Sequence, residues 1–148
     1  MEFKTNAQRA CYEKVLPMVR STFGEFAIVL DDRPGFAIPQ GSTLCHIGVH
    51  PWGEDSATVL CRSYVVMGPE LVPDLLMFLL RTNDDMRFGA FGVDRDGDIF
   101  FEHSIVGATI DKDELKASVM AVIWTADKYD DEIVGRWGGR RCSDRPPS

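Results

Sequence analysis

Long apolar runs are missing from this 148-residue chain: none exceeds the stretch from Leu75 to Leu80. That is far short of the roughly 20 residues a bilayer-spanning helix needs, so no membrane partner is expected. Positive charge is also scarce, with 16 Lys and Arg against 23 Asp and Glu and a formal net charge of −7. A net negative surface repels phosphate backbones, which argues against nucleic acid as a partner. The four cysteines, Cys11, Cys45, Cys61 and Cys142, never form a C-x-x-C pair, and the N-terminus does not read as a secretory signal. Reduced thiols in a cytoplasmic protein are the expectation. There is no G-x-S-x-G elbow and no cysteine with a family signature around it, so the chain is read as non-enzymatic. Glycines and cations do meet at Trp137–Arg141, but after a helix rather than before one. Phosphate loops precede helices, so a helix C-cap is the better reading there.

What is present organises itself around Phe88–Ile105, where two apolar runs flank the turn Asp94-Arg95-Asp96-Gly97-Asp98. This is a hairpin signal. Before it, Thr5–Phe23 reads as a helix with Cys11, Val15, Met18, Val19 and Thr22 on one stripe, and Pro17 predicts a kink or an early stop. Phe26–Leu30 reads as a short buried strand and Asp31–Gly41 as a loop, by its Pro and Gly content. Thr43–Val49 alternates, Pro51–Ser56 is a turn, and Ala57–Val66 is a second long strand. A helix entered at Pro69 or Pro73 carries Leu71 and Leu75 to Leu80. After the hairpin, Asp111 or Asp113 caps a last helix over about 113–134, extending to as far as Trp137, with Leu115, Val119, Val122, Ala126, Tyr129 and Ile133 as its core stripe. The order α-β-β-β-α-β-β-α with short connections predicts an α+β fold, an antiparallel five-stranded sheet packed with three helices. One domain over 1–139 is expected, followed by a polar, Pro-rich and mobile tail over 140–148.

Each cluster with chemical potential has a structural reading beside it. Asp94, Asp96, Asp98 and Glu102 resemble an oxygen cage for calcium, but the calcium loop wants its glycine at the sixth position and Gly97 falls at the fourth. A β-turn needs the same residue types, and the turn is the reading adopted. Cys45 points away from His46 and His50 in a strand, and the two histidines lie about 13 Å apart at strand rise, too far for one ion. No metal and no cofactor are therefore assigned. Arg62 and Glu102 are read as cross-strand charges on an exposed face. Two features leave alternatives open. The helix over Leu71–Leu80 is apolar nearly all round, and Met120 and Trp124 lie opposite the core stripe of the last helix. Both are either plain core or an interaction surface.

The segment from Leu79-Leu80-Arg81-Thr82-Asn83, through Phe88-Gly89-Ala90-Phe91, Asp96-Gly97-Asp98 and Glu102, to Ala126-Asp127-Lys128-Tyr129-Asp130 resembles the YbjN-like family. The pattern Ile133-Val134, then Trp137-Gly138-Gly139, resembles its close as well. That family is grouped by fold with the type III secretion chaperones. The resemblance implies a homodimeric, chaperone-like protein that binds a protein or peptide client, without catalytic residues. It places the dimer on the middle helix, for which Leu71, Leu75, Phe78 and Leu79 are the candidates. Met120 and Trp124 are the candidates for partner contact. The competing reading is a small-ligand- or metal-binding regulatory protein using His46, His50 and the aspartate turn.

Overall fold

Thr5 opens the first helix, α1 (Asn6–Phe23), by accepting the N–H of Gln8 on its side chain at 3.0 Å. Its buried residues are Gln8, Cys11, Tyr12, Val15 and Val19. The helix runs through Pro17 instead of stopping there. Pro17 is exposed, so the Glu13 carbonyl it leaves without an intrahelical partner faces solvent. Four strands follow: β1 (Ile28–Val29), β2 (Gly35–Gln40), β3 (Thr43–Trp52) and β4 (Ser56–Met67). Then come α2 (Pro73–Asp84), β5 (Ala90–Val93), β6 (Ile99–Val106), α3 (Lys112–Trp137) and β7 (Arg140–Arg141). The computed structural model describes residues 1–144.

Every strand pairing is antiparallel, in the order β1-β2-β3-β4-β6-β5, with β7 added to the end of β4. Alternation then decides the faces. Phe36 and Ile38 of β2, Cys45, Ile47 and Val49 of β3, Val59 and Cys61 of β4, and Phe101 and Ile105 of β6 are buried against α1 and α3. Leu44, His46, Gly48, Leu60, Arg62, Tyr64, Phe100 and Glu102 alternate with them and are only half-buried. The sheet is thus covered by helices on one face and open on the other. α3 is the main cover. Asp111 accepts the Glu114 N–H at 2.7 Å to start it, and Gly138, at φ +75°, ends it. Leu115, Val119, Val122, Ala126 and Ile133 are buried as the stripe predicts, and Tyr129 is half-buried.

The α+β class and the three helices stand, but among the described residues the sheet has seven strands rather than five. The stretch expected as loop over Asp31–Gly41 contains β2, in which Phe36 and Ile38 point into the core. Pro39 does not prevent this. It lies beyond the end of the two-residue β1, where β2 is an edge and a missing N–H breaks no ladder bond. The segment expected to be a mobile tail begins instead with β7, in which Arg141 pairs with Val66 and Arg140 with Met67. Arg141 also bridges Asp131 of α3 at 3.2 Å and Asp144 at 3.0 Å. Gly139, at φ +85°, allows the reversal: a Cβ there would sit 2.7 Å from the Met67 carbonyl oxygen. Residues 145–148 of that tail lie outside the described residues.

Candidate functional site

α2 has no side-chain cap and takes Pro73 in its first turn. Only two of its residues are buried, Leu75 at 0% and Leu79 at 3% exposure. The family resemblance puts these two on a dimer face, and the fold turns them inward instead, against the chain's own core. Phe78, from the same set, is half-buried: its ring lies 5.2 Å from Trp137 and 6.3 Å from Tyr129, with the Arg136 guanidinium 5.1 Å from it. The outward row is Leu76, Met77 and Leu80, the last 63% exposed. Leu71, the remaining candidate of that set, is exposed but lies before the helix, ahead of its N-cap Val72. Leu75/Leu79 and Leu76/Leu80 are both four-residue pairs, so helical spacing alone does not say which pair faces in. Val72, which packs against the core one turn before Leu75, is the signal that continues the inner stripe.

On α3, Trp124 is 63% exposed and Met120 is half-buried. They sit as the periodicity placed them, off the core stripe. A bare indole at this exposure leaves a large apolar body in water, a costly arrangement for an isolated subunit.

The open sheet face carries the charged and titratable groups. Arg62 and Glu102 are direct cross-strand partners, and Arg62 Nε donates to Glu102 at 2.7 Å. The same guanidinium lies 3.9 Å from the Phe100 ring centroid. Tyr64 donates its hydroxyl to Asp94 at 2.8 Å. His46 and His50 share this face, and the His50 ring folds over Gly48: a Cβ on Gly48 would meet its Nε2 at 2.6 Å. Burial holds both imidazoles below their ordinary value, with Arg33 adding to the effect on His46, and Arg62 and Lys4 on His50. Cys45 lies on the opposite, core face, as strand alternation requires, and burial pushes its thiol up to about 12.

The aspartate turn is occupied by its own backbone. Asp94 Oδ1 accepts the N–H groups of Asp96 and Asp98, at 2.9 and 3.0 Å, and Asp98 accepts the N–H of Gly68 at 2.8 Å. Gly97 takes φ +84°. Hydrogen bonds to the Asp98 amide and the Tyr64 hydroxyl hold the Asp94 carboxyl below its usual value. This is turn chemistry. Among the described residues, no group of three or more His, Cys, Asp or Glu converges as a metal site would require.

Comparison with solved structures gives the same fold. The HopA1–SchA chaperone–effector complex matches with a TM-score of 0.63 at 12% identity, covering 82% of this chain and 94% of that one. The ExsC–ExsE complex matches with a TM-score of 0.65 at 14% identity, covering 87% and 96%. The Yersinia pestis type III secretion chaperone SycH, solved with a stable fragment of YscM2, matches with a TM-score of 0.56 at 15% identity, covering 79% and 98%. No curated protein matches the sequence. A family model matches over residues 11–145, which takes in most of α1 and all of α2 and α3, and on that match the chain belongs to the T3SS (YopN, CesT) and YbjN peptide-binding chaperone 1 family.

Proposed function

We propose that the protein is a non-catalytic, cytoplasmic chaperone that works as a homodimer and holds segments of a client polypeptide. The observation that carries peptide binding is the family match over residues 11–145. The similar folds include chaperones solved in complex with effectors or with a partner fragment. Support for the homodimer is the outer row of α2: Leu76, Met77 and Leu80 form an apolar strip on a helix that buries only two residues in its own chain, and Leu71 is exposed just before the helix begins. Burying such a strip against a second copy is worth roughly 25 cal/mol per Å² of apolar surface. Phe78 borders the strip, and Met120 with Trp124 offers a second apolar contact for a client. Such a protein acts by covering apolar side chains and needs no bond-making group.

Two measurements test this reading. Light scattering of the wild type should give the mass of a dimer, and Leu80→Asp should give a monomer with an unchanged circular dichroism spectrum. A wild-type monomer removes the homodimer. Fluorescence anisotropy with reduced, unfolded lactalbumin should show binding, and no binding at any concentration of the chain removes the chaperone reading.

A further inference from the structure

We propose that two copies of the chain pair through antiparallel α2 helices, in the register that sets Asp74 of each copy against Arg81 of the partner subunit. The inference rests on the homodimer reading above and deepens it, by fixing the orientation of the pair and the charges that select it.

The outer face of α2 is built around one centre. Asp74 and Arg81 are seven residues apart, which is about two turns, so they share one flank of the helix some ~10 Å apart along its axis. Both are exposed, and both line a shallow groove of about 330 Å³ with Met77 and Phe78 between them. Among the described residues neither has an ion-pair partner. Leu76 and Leu80 hold the opposite flank, and Met77 runs between the two flanks. The charged pair has its midpoint between Met77 and Phe78, and the leucine pair has its midpoint at Phe78. Asp85 and Arg136 also line the groove, one of each sign, and Arg136 is already stacked on Trp137 at 4.1 Å.

A two-fold dimer brings the same patch of both copies together, so residue i meets j and j meets i. With the axis at that shared centre and perpendicular to α2, the two helices run antiparallel and each flank meets itself reversed. Asp74 then faces Arg81 of the partner subunit, a contact made twice. Leu76 faces Leu80 of the partner subunit, and Met77 lies beside its own counterpart. Parallel helices would set Asp74 on Asp74 and Arg81 on Arg81, and like charges across an interface are what excludes a wrong pairing. The helix ends favour the same direction. Asp84 is exposed in the last turn of α2, where its charge opposes the helix dipole. The first turn has no side-chain cap, and antiparallel pairing carries Asp84 alongside that open end of the partner helix, where a carboxylate is stabilised.

The test is charge exchange in the full chain, with Asp74→Arg, Arg81→Asp and the double variant carrying both. Each single variant meets only like charges in its own symmetric dimer, so sedimentation should show it dimerising at least about tenfold more weakly than the wild type, with the difference shrinking as salt rises. Mixing the two single variants restores opposite charges at both contacts, so native mass spectrometry should show the heterodimer well above the statistical half. The double variant also restores both contacts and should dimerise again. All changes are at exposed positions, and an unchanged circular dichroism spectrum confirms that each variant is folded. Single variants that dimerise as well as the wild type would overturn the register while leaving the homodimer intact. A statistical mixture, together with a double variant no better than the single ones, would overturn it too. A monomeric wild type would remove the homodimer and this pairing together.

Discussion

Asn83 holds both backbone groups of Phe91: its Nδ2 donates to the Phe91 carbonyl at 3.2 Å, and the Phe91 N–H donates to its Oδ1 at 2.7 Å. One side chain at the end of α2 thus takes the place of a missing neighbour strand on the outer side of β5, the last strand of the sheet. An open edge is a template for unwanted pairing, and Asn83 closes it at that point. It also fixes α2 to the sheet at the end opposite Pro73. Asn83→Ala is expected to cost about 1–3 kcal/mol, because two bonds at a half-buried site are lost and the strand groups are left without partners. Urea denaturation, read as a shift in midpoint at constant slope, checks this.

Neighbouring leucines on α2 should respond very differently. Leu79 is in the core, so Leu79→Ala is expected to cost about 2–5 kcal/mol by leaving a cavity. Leu80 faces outward, and Leu80→Ala should change the stability of the single chain by no more than about 0.5 kcal/mol. Thermal melts of both variants at low protein concentration separate the two faces. Equal losses would mean that the inward and outward stripes are assigned wrongly.

Asp130 gives a signed pH dependence. It is 4% exposed on α3, and its Oδ1 accepts the Asp131 N–H at 2.6 Å. Burial, with Asp127 and Asp131 adding repulsion, raises its carboxyl above the ordinary value despite that bond and the nearby Arg141. The folded state therefore favours the protonated form, and the group lowers stability as pH rises from the unfolded value through the raised one. Asp130→Asn keeps the acceptor oxygen and removes the charge. It should be more stable than the wild type near pH 7 and no more stable near pH 3. A gain of the same size at both pH values would show that charge burial is not the cause.

Thiol reactivity should follow burial. Cys11, Cys45 and Cys61 are buried, while Cys142 is half-exposed near the chain's end. Burial pushes the Cys45 thiol up to about 12 and the Cys61 thiol well above its ordinary value, and the thiolate is the reactive form. Iodoacetamide near pH 8 is expected to modify Cys142 first, with Cys45 and Cys61 reacting only in denaturant. Peptide mass spectrometry of the alkylated protein decides the order.

Local chemistry settled much of this molecule in advance. Asp111 and Gly138 bound α3, the stripe from Leu115 to Ile133 chooses its buried face, and Asp94 with Gly97 forces the turn between β5 and β6. Arg62 and Glu102 could be matched as cross-strand charges because strand alternation is strict. These features depend on residues a few positions apart, where capping, periodicity and turn geometry act. Tertiary structure decided the rest. Phe36 and Ile38 form a strand because β3 lies beside them, although the surrounding Pro and Gly read as loop. Arg140 and Arg141 pair with β4 because Gly139 can reverse the chain at that place. Leu75 and Leu79 face inward, and Leu76 and Leu80 outward, because the sheet lies on one side of α2. The pairing of Gly35 with Gly48, the latter under the His50 ring, follows from strand register. Register is a long-range relationship, and no local preference encodes it.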